Sequence, residues 1–255
     1  MFKRTISLFM MVAISLGAVL TVNAQDDSYT MFESLMLTPD NTKLKALGEA
    51  MSKHNKKYHA SGAHLAKVYN IVTGPNSGKM VWEMGPLKFS DLDSRPAEGG
   101  HDEDWRDNVM PNIKKMNTVE YWKEMGKLSN TSMLDPNKVT HPLLYIRYHE
   151  VNKGKGSNIG RLLKQISETV KAMDGENPWG VYSNEFQQGY TIGRHIATVN
   201  FMKNWAELDD DDNFKETFIK VHGDNSWQAF LDGMANAFAN SWDEIWQYNA
   251  KLSGK

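Results

Sequence analysis

Residues 65–84 have the sequence LAKVYNIVTGPNSGKMVWEM, which predicts a β-hairpin. Its two arms, residues 65–73 and 79–84, are rich in Val, Ile, Tyr and Trp, the side chains that favour strands. Gly74 and Gly78 bracket a polar turn between the arms, and glycine accepts the backbone angles that tight turns need. The stretch therefore predicts two neighbouring antiparallel strands.

A strand and a helix are predicted before this hairpin. Residues 29–37 (YTMFESLML) are aromatic and apolar with polar residues interleaved, which is typical of a strand. Residues 39–41, Pro-Asp-Asn, break that strand and can cap a helix. The residues that follow at i, i+3, i+7 and i+10, the spacing of one helical face, are Leu44, Leu47, Met51 and His54.

The same order of elements recurs about 115 residues later. Residues 143–151 (LLYIRYHEV) predict a strand, and residues 159–173 follow with an apolar stripe of helical period. Residues 179–186 (WGVYSNEF) and 191–201 (TIGRHIATVNF) then predict a second hairpin. The recurrence indicates an internal duplication.

The repeated order β-α-β-β-α is the ferredoxin-like arrangement, an α+β fold whose antiparallel sheet carries helices on one face. The other face of such a sheet must be covered. Two tandem units, residues 25–139 and 140–255, can cover each other, and we predict that their sheets pack as an intramolecular α/β-barrel-like domain. Residues 241–248 are the predicted closing strand of the second unit. The first unit offers no secure counterpart, because residues 130–142 alternate little and contain two prolines.

In this order of elements the chain resembles the dimeric α/β-barrel superfamily, which includes antibiotic-biosynthesis-type monooxygenases, haem-degrading monooxygenases and NIPSNAP-type proteins. The resemblance covers both halves and is carried by residues 62–84 and 190–208, without a diagnostic motif. It implies a cavity between sheet and helices or between the two packed sheets. The Asn-Trp-His set of the haem-degrading relatives is absent, so no cofactor is predicted, with haem as the alternative.

The first 24 residues predict a cleavable signal peptide. Lys3 and Arg4 precede an apolar run that ends at Val22-Asn23-Ala24, where short side chains suit signal peptidase. The alternative is a membrane anchor, but a spanning helix needs roughly 20 apolar residues and this run is shorter. The mature chain is therefore expected to begin near Gln25, without membrane insertion, in a periplasm or outside the cell.

Composition excludes several classes of function. Without residues 1–24 the chain loses two of its 29 basic residues and keeps 31 acidic ones, a net charge of −4, which argues against a nucleic-acid partner. The chain has no cysteine, which excludes disulfides, thiolate metal sites and thiol nucleophiles. The motifs of serine hydrolases, phosphate-binding loops and dinucleotide-binding folds are also absent.

The strand at residues 143–151 holds the first candidate site. Tyr145, Arg147 and His149 are two residues apart and so share one face, where they would form a polar pocket floor for an anionic or phenolic ligand. In the alternative interpretation this face meets solvent, and the residues that face the core are Leu144, Ile146 and Tyr148.

Three further residues are candidates for ligand contact or catalysis. His195 lies in the predicted second hairpin and, with Arg147 and His149, is a candidate catalytic residue. Glu33 is a lone carboxylate in an apolar strand, so it is either paired, as a pocket anchor or general base, or turned to water. Trp82 can line a cavity, with core packing as the alternative.

No metal site is predicted. His54, His59 and His64 surround the end of the first helix, but they are five apart, and a helix places residues four apart on one face. The acidic run at residues 102–104 suits the positive end of a helix better than calcium, because the alternating oxygen ligands of a calcium loop are missing.

These patterns predict an exported protein that binds a small, partly aromatic molecule. One alternative is a cofactor-independent or haem-linked monooxygenase-like enzyme. The other is a protein-interaction domain whose contacts are the acidic loops near Asp102 and Asp210. The ligand and the oligomeric state are left open.

Overall fold

The computed structural model describes residues 29–135, 138–186, 194–210 and 213–255. The predicted signal peptide, residues 191–193 of the predicted second hairpin and residues 211–212 of the second acidic run lie outside these ranges. The predicted α+β class is confirmed, since antiparallel strands and several helices alternate along the chain. Among the residues described, no helix combines the length and the apolar character that crossing a bilayer would require.

The strands are β1 Met31–Pro39, β2 Ala66–Ile71, β3 Met80–Leu87, β4 Ile113–Glu124, β5 Leu143–Val151, β6 Trp179–Asn184, β7 Ile196–Met202 and β8 Phe238–Tyr248. The α-helices are α1 Leu44–Tyr58, α2 His101–Asp104, α3 Gly156–Ala172, α4 Phe214–His222 and α5 Ser226–Ala237.

The eight strands form one closed antiparallel barrel in the order β1-β3-β2-β8-β5-β7-β6-β4, with β4 paired to β1. The four strands of the first half are neighbours, in the order β4-β1-β3-β2, and those of the second half follow the same pattern, β8-β5-β7-β6. The two halves meet where β2 pairs with β8 and β4 with β6. Closure leaves no unpaired sheet edge.

Strand β4 is the closing strand that the sequence did not reveal. It precedes residues 130–142, where a closing strand was sought, and runs directly on from a short helical segment, Met110–Asn112. Most of its first seven residues are exposed or half-buried, so the alternation of apolar and polar residues is missing from them. The second closing strand, β8, contains the predicted residues 241–248.

The strands bury the inner face of the barrel and the part of the outer face that the helices cover, whereas Arg147 on β5 and much of the first half of β4 are exposed. One face lines the barrel interior with large side chains, including Tyr69, Trp122, Ile146, Tyr148, Val199 and Trp246. The outer face packs against helices, and in the first half the packed residues include Leu35, Leu47, Met51, Val68 and Met84. On α1 the predicted apolar face is confirmed at Leu47, Met51 and His54, which are buried, whereas Leu44 is 52% exposed.

The two closing strands carry the same polar motif in the barrel interior. Glu120 on β4 accepts a hydrogen bond from the indole N–H of Trp122 at 3.1 Å, and Glu244 on β8 accepts one from Trp246 at 2.9 Å. Glu120 also pairs with Arg194 at 2.7 Å, and Glu244 accepts a second hydrogen bond from Asn76. Both buried carboxylates therefore have partners, as burial of a charge requires.

A third interior carboxylate makes stability depend on pH. Burial raises the pKa of Glu83 to about 7, opposed by the charge of Lys67, and the other titratable groups that act on it are Tyr69, Tyr148 and Tyr182. A raised pKa favours the neutral acid in the folded state, so its contribution to stability is complete below about pH 4.5 and is lost as the pH rises through 7.

We therefore expect the native protein to lose on the order of 2 kcal/mol of unfolding free energy between pH 5 and 8 relative to a Glu83→Gln variant. Urea denaturation of both proteins with EDTA present measures this difference. Parallel pH profiles of the two proteins would contradict the assignment.

Candidate metal centre

The connection between β3 and β4 covers the outer face of the first sheet. It begins with a short 3₁₀ helix, Phe89–Ser94, and continues through Arg95 to α2. Directly after α2 the chain forms a π-helical turn, Trp105–Val109. Such turns are rare and occur frequently at functional sites. Gly99 and Gly100 precede α2 with φ angles of 68° and 82°, which glycine adopts without strain.

Three histidine side chains converge between α1 and α2. His54 and His59 come from the end of α1, and His101 is the first residue of α2. One ring nitrogen of each lies within 4.8 Å of the other two, and the Nε2 atoms of His59 and His101 are 3.1 Å apart. The Nε2 atom of His54 is buried and has no hydrogen-bond partner among the residues described.

The other nitrogen of each ring is held by an oxygen atom. The Nδ1 atom of His54 lies 2.8 Å from a carboxylate oxygen of Asp104, and that of His101 lies 2.7 Å from Asp102. The Nδ1 atom of His59 lies 2.9 Å from the backbone oxygen of His64. Metal-binding histidines usually donate this second N–H to a carboxylate or carbonyl, which fixes the ring and leaves Nε2 free for the metal.

Burial favours the neutral form of His54 and His59, the form that binds a metal. Desolvation lowers the pKa of His59 to about 4, and it also lowers the pKa of His54, although the hydrogen bond to Asp104 opposes it. Bond lengths of 2.0–2.1 Å in a tetrahedral site place two ligand nitrogens about 3.3 Å apart. The spacing of His59 and His101 is close to that value.

The histidines open into a cavity of about 240 Å³. Its other lining residues are mostly apolar or aromatic: Leu35, Trp82, Met84, Pro96, Trp105, Met116 and Val119. Two charged residues complete the wall. Glu33 is 5% exposed and forms an ion pair with Arg95, and burial raises its pKa in spite of that neighbour. Arg95 also donates to the hydroxyl of Tyr121 at 3.0 Å.

Two of the residues selected from the sequence lie in this cavity. Glu33 projects from the helix-facing side of β1, and Trp82 from the same side of β3. Trp82 donates its indole N–H to Asn55 at 2.9 Å, and its ring meets His59 edge to face, with centroids 5.0 Å apart. The tryptophan therefore positions a histidine of the cluster and also packs in the core.

The other selected residues lie far from the cluster, in the second half of the chain. Leu144, Ile146 and Tyr148 line the barrel interior, so the alternative interpretation describes β5, and Tyr145, Arg147 and His149 point outward. Arg147 is exposed and bound to Asp243 through two nitrogens, each at 2.7 Å, and Tyr145 donates to the same carboxylate at 2.8 Å. Arg147 and Asp243 therefore form an ion pair at the surface, and the predicted pocket floor is not formed there.

The surroundings of His149 and His195 do not fit a haem. His149 lies 2.8 Å from the hydroxyl of Ser241 and stacks on Phe238, and His195 accepts a hydrogen bond from the backbone N–H of Val151 at 2.9 Å. Neither histidine lines the cavity at the histidine cluster or the three other cavities formed by the described residues. The space between sheet and helices in this half is filled by packed side chains, including Ile159, Leu162, Val181, Phe218 and Phe230.

The spacing of His54 and His59 in the sequence argued against both of them as metal ligands. Residues five apart do not share a helical face, but His59 lies just after the last residue of α1, where the backbone has left helical geometry. His101 was not considered at all. The available signal was the acidic run beside it, since Asp102 and Asp104 are the carboxylates that hold His101 and His54.

No family model matches the sequence, and no curated protein is significantly similar to it. Solved structures do share its architecture. An anthrone oxidase-like protein is 13% identical, with a TM-score of 0.55 over 90% of this chain and 94% of that chain. A protein assigned as a monooxygenase from Fusobacterium nucleatum is 8% identical, with a TM-score of 0.55 over 87% and 93%.

A chlorite dismutase variant from Candidatus Nitrospira defluvii is 7% identical to this chain, with a TM-score of 0.53 over 88% of it and 94% of the dismutase. These likenesses show that the chain shares the overall fold of these proteins. At such low identity they establish the fold alone.

Proposed function

We propose that this chain is an exported metalloenzyme in which His54, His59 and His101 hold one divalent transition metal beside a bound small, partly aromatic molecule. The observation that carries the proposal is the convergence of one ring nitrogen from each of three histidines, on rings whose Nδ1 atoms are each held by an oxygen. Three neutral ligands leave at least one coordination position open, which is typical of catalytic sites and not of structural ones.

The cavity beside this open coordination position can hold a substrate. Its apolar and aromatic walls suit a ring system, and Arg95, 40% exposed, can bind a phenolate or carboxylate group. Glu33 lies behind Arg95 and can accept a proton from a substrate that displaces their ion pair. Imidazole ligands suit zinc, copper, iron and nickel, so the ligand set by itself admits both water activation and oxygen activation.

We favour oxygenation, because two of the similar structures are described as a monooxygenase and as anthrone oxidase-like. We further propose that the chain is a monooxygenase of the antibiotic-biosynthesis type. A methylene between two aromatic rings reacts with O₂ to give a ketone and water: two C–H bonds break, one oxygen atom forms C=O, and the other leaves as water with both hydrogens. The substrate supplies all four electrons, so no further reductant is required.

The test combines metal content with turnover. Residues 25–255 are loaded separately with Fe²⁺, Cu²⁺ and Zn²⁺, and bound metal is measured by mass spectrometry of the native protein. We expect one equivalent per chain, and oxidation of anthrone to anthraquinone with Fe²⁺ or Cu²⁺ at least about 100-fold above the rate without protein, a modest enhancement for an enzyme. Less than a tenth of an equivalent of every metal would overturn the proposal.

Arg95 provides a residue-level test of substrate binding. We expect Arg95→Met to raise KM about tenfold or more for a phenolic anthrone and to change KM less for unsubstituted anthrone, because the lost partner is a charge-assisted hydrogen bond. Arg147→Met is the matched control, since Arg147 is also bound to a carboxylate but lies on the other half of the barrel. Equal effects of the two substitutions would contradict the assigned role.

Two further proposals concern the whole chain. The repeated strand order and the matching Glu-x-Trp motifs of β4 and β8 support an origin from two tandem ferredoxin-like units, residues 25–139 and 140–255. Export rests on the features of residues 1–24. A mature chain that starts at Gln25 in a periplasmic or culture fraction supports export, and retention of Met1 there would contradict it.

A further inference from the structure

A second cavity lies inside the barrel, on the opposite face of β1 and β3 from the metal centre. A chamber of about 100 Å³ adjoins a larger one of about 300 Å³ toward residues 131–141. The two chambers share six lining residues: Phe32, Lys67, Tyr69, Leu144, Tyr182 and Phe201. Residues 136–137 of the covering segment lie outside the described ranges.

The inner chamber holds two half-buried residues of opposite charge that form no salt bridge with each other. Lys67 on β2 and Glu83 on β3 are directly paired in the strand register, and both side chains line the chamber. Neither forms a side-chain hydrogen bond or an ion pair with any residue that the structure describes. Buried charges are normally paired, and the interior carboxylates Glu120 and Glu244 obey that rule.

Three tyrosine hydroxyl groups in the same chamber also lack a hydrogen-bond partner among the described residues. They belong to Tyr69, Tyr148 and Tyr182. Buried tyrosines usually find one. The chamber therefore offers a carboxyl group, an ammonium group and several hydroxyls to whatever occupies it, and rings and aliphatic side chains surround them, including Phe32, Leu144, Ile146, Val199 and Phe201.

From this pattern we propose that the barrel interior binds a small aromatic zwitterion, an amino acid with an aromatic side chain, separately from the metal site. Its ammonium group pairs with Glu83, its carboxylate pairs with Lys67, and its ring lies against Phe32 and Phe201. A molecule with both charges satisfies both protein groups, whereas an amine leaves Lys67 unpaired and an acid leaves Glu83 unpaired. Leaving either group unpaired costs the desolvation of a charge.

Calorimetry of residues 25–255 with L-phenylalanine and L-tyrosine tests the proposal. We expect one molecule of either to bind per chain, with at least about tenfold weaker binding of phenethylamine and of 3-phenylpropionate. Glu83→Gln and Lys67→Met are each expected to weaken amino-acid binding tenfold or more. Circular dichroism and thermal unfolding establish that both variants are folded, and a variant that fails this check is replaced by Glu83→Ala or Lys67→Gln.

His101→Ala separates this site from the metal centre, because the two sites lie on opposite faces of the sheet. We expect the His101→Ala variant to bind the amino acid with unchanged affinity. The proposal is overturned if neither amino acid binds, if the two charge variants bind as well as the native chain, or if His101→Ala abolishes binding. Failure of the metalloenzyme proposal leaves these three outcomes unaffected.

Discussion

His101→Ala is expected to lower the affinity for Zn²⁺ by more than about 100-fold, because it removes one of three ligands and replaces its nitrogen with water. Loss of a residue that only orients a ligand already costs 10- to 100-fold in metal affinity, so loss of a ligand costs more. Competition with a chromophoric chelator measures the affinity at fixed pH. The side chain of His101 is 16% exposed, so this variant perturbs the core less than substitution of His54, which is fully buried.

Asp104 and Asp102 provide a graded comparison. Asp104→Asn keeps the size of the side chain but weakens the acceptor for His54, and we expect a 10- to 100-fold loss of zinc affinity. Asp102→Asn is expected to have a smaller effect, because the side chain of Asp102 is 70% exposed and water can replace it as the acceptor for His101. This order distinguishes a metal centre from a histidine cluster that merely packs.

His222→Gln is the matched control for the loss of one imidazole. His222 lies on α4 in the other half, with its Nε2 atom 3.1 Å from the backbone oxygen of Gln165, an acceptor that the glutamine amide can also reach. We expect its zinc affinity to equal that of the native chain. If His101→Ala and His222→Gln bind zinc equally well, the three-histidine centre is wrong.

Arg194→Met is expected to destabilise the fold by about 3–5 kcal/mol, the usual cost of removing one partner from a buried ion pair. Arg194 is 5% exposed and Glu120 is 3% exposed, and their nearest atoms are 2.7 Å apart. Arg194 also donates to the hydroxyl of Thr118 at 2.9 Å, and its guanidinium group lies 5.4 Å from the ring centre of Tyr148. The substitution leaves the Glu120 carboxylate in the barrel without a countercharge.

The double variant Glu120→Gln with Arg194→Met tests that reason. The glutamine is neutral and can still accept from Trp122, so we expect the double variant to recover at least about 2 kcal/mol of the loss seen in Arg194→Met. Urea denaturation at pH 7 gives the unfolding free energies. Simple additivity of the two single effects would show that the pair is not coupled and that Arg194 acts only by filling space.

The two halves of the barrel differ in how their helices pack against the strands. In the first half the helices leave a cavity against the sheet, and three histidines and an ion pair line it. In the second half the corresponding space is occupied by a cluster of aromatic and aliphatic side chains from α3, α4 and α5. On the proposed function the chemistry lies in the first half, and the strands of the second half close the barrel and complete its interior.

Local patterns in the sequence were sufficient for most of the fold. The period of two in residues 143–151 and the helical period in residues 159–173 correspond to β5 and α3, because burial of one face imposes those periods wherever the element lies. Strand β4 was missed because its exposed first half carries no such pattern. The order of elements also predicted that the sheet face without helices must be covered by another part of the protein.

The site depended on contacts that no local pattern records. Glu33 and Trp82 were selected as isolated residues, and only pairing of β1 with β3 places them in one cavity. The Nε2 atoms of His59 and His101 meet although 42 positions separate them in the sequence. Residue spacing specifies neighbours only within a helix or strand, whereas ligands for a metal can come from any elements that packing brings together. The sequence thus determined the elements and their order, and tertiary packing decided which side chains share a site.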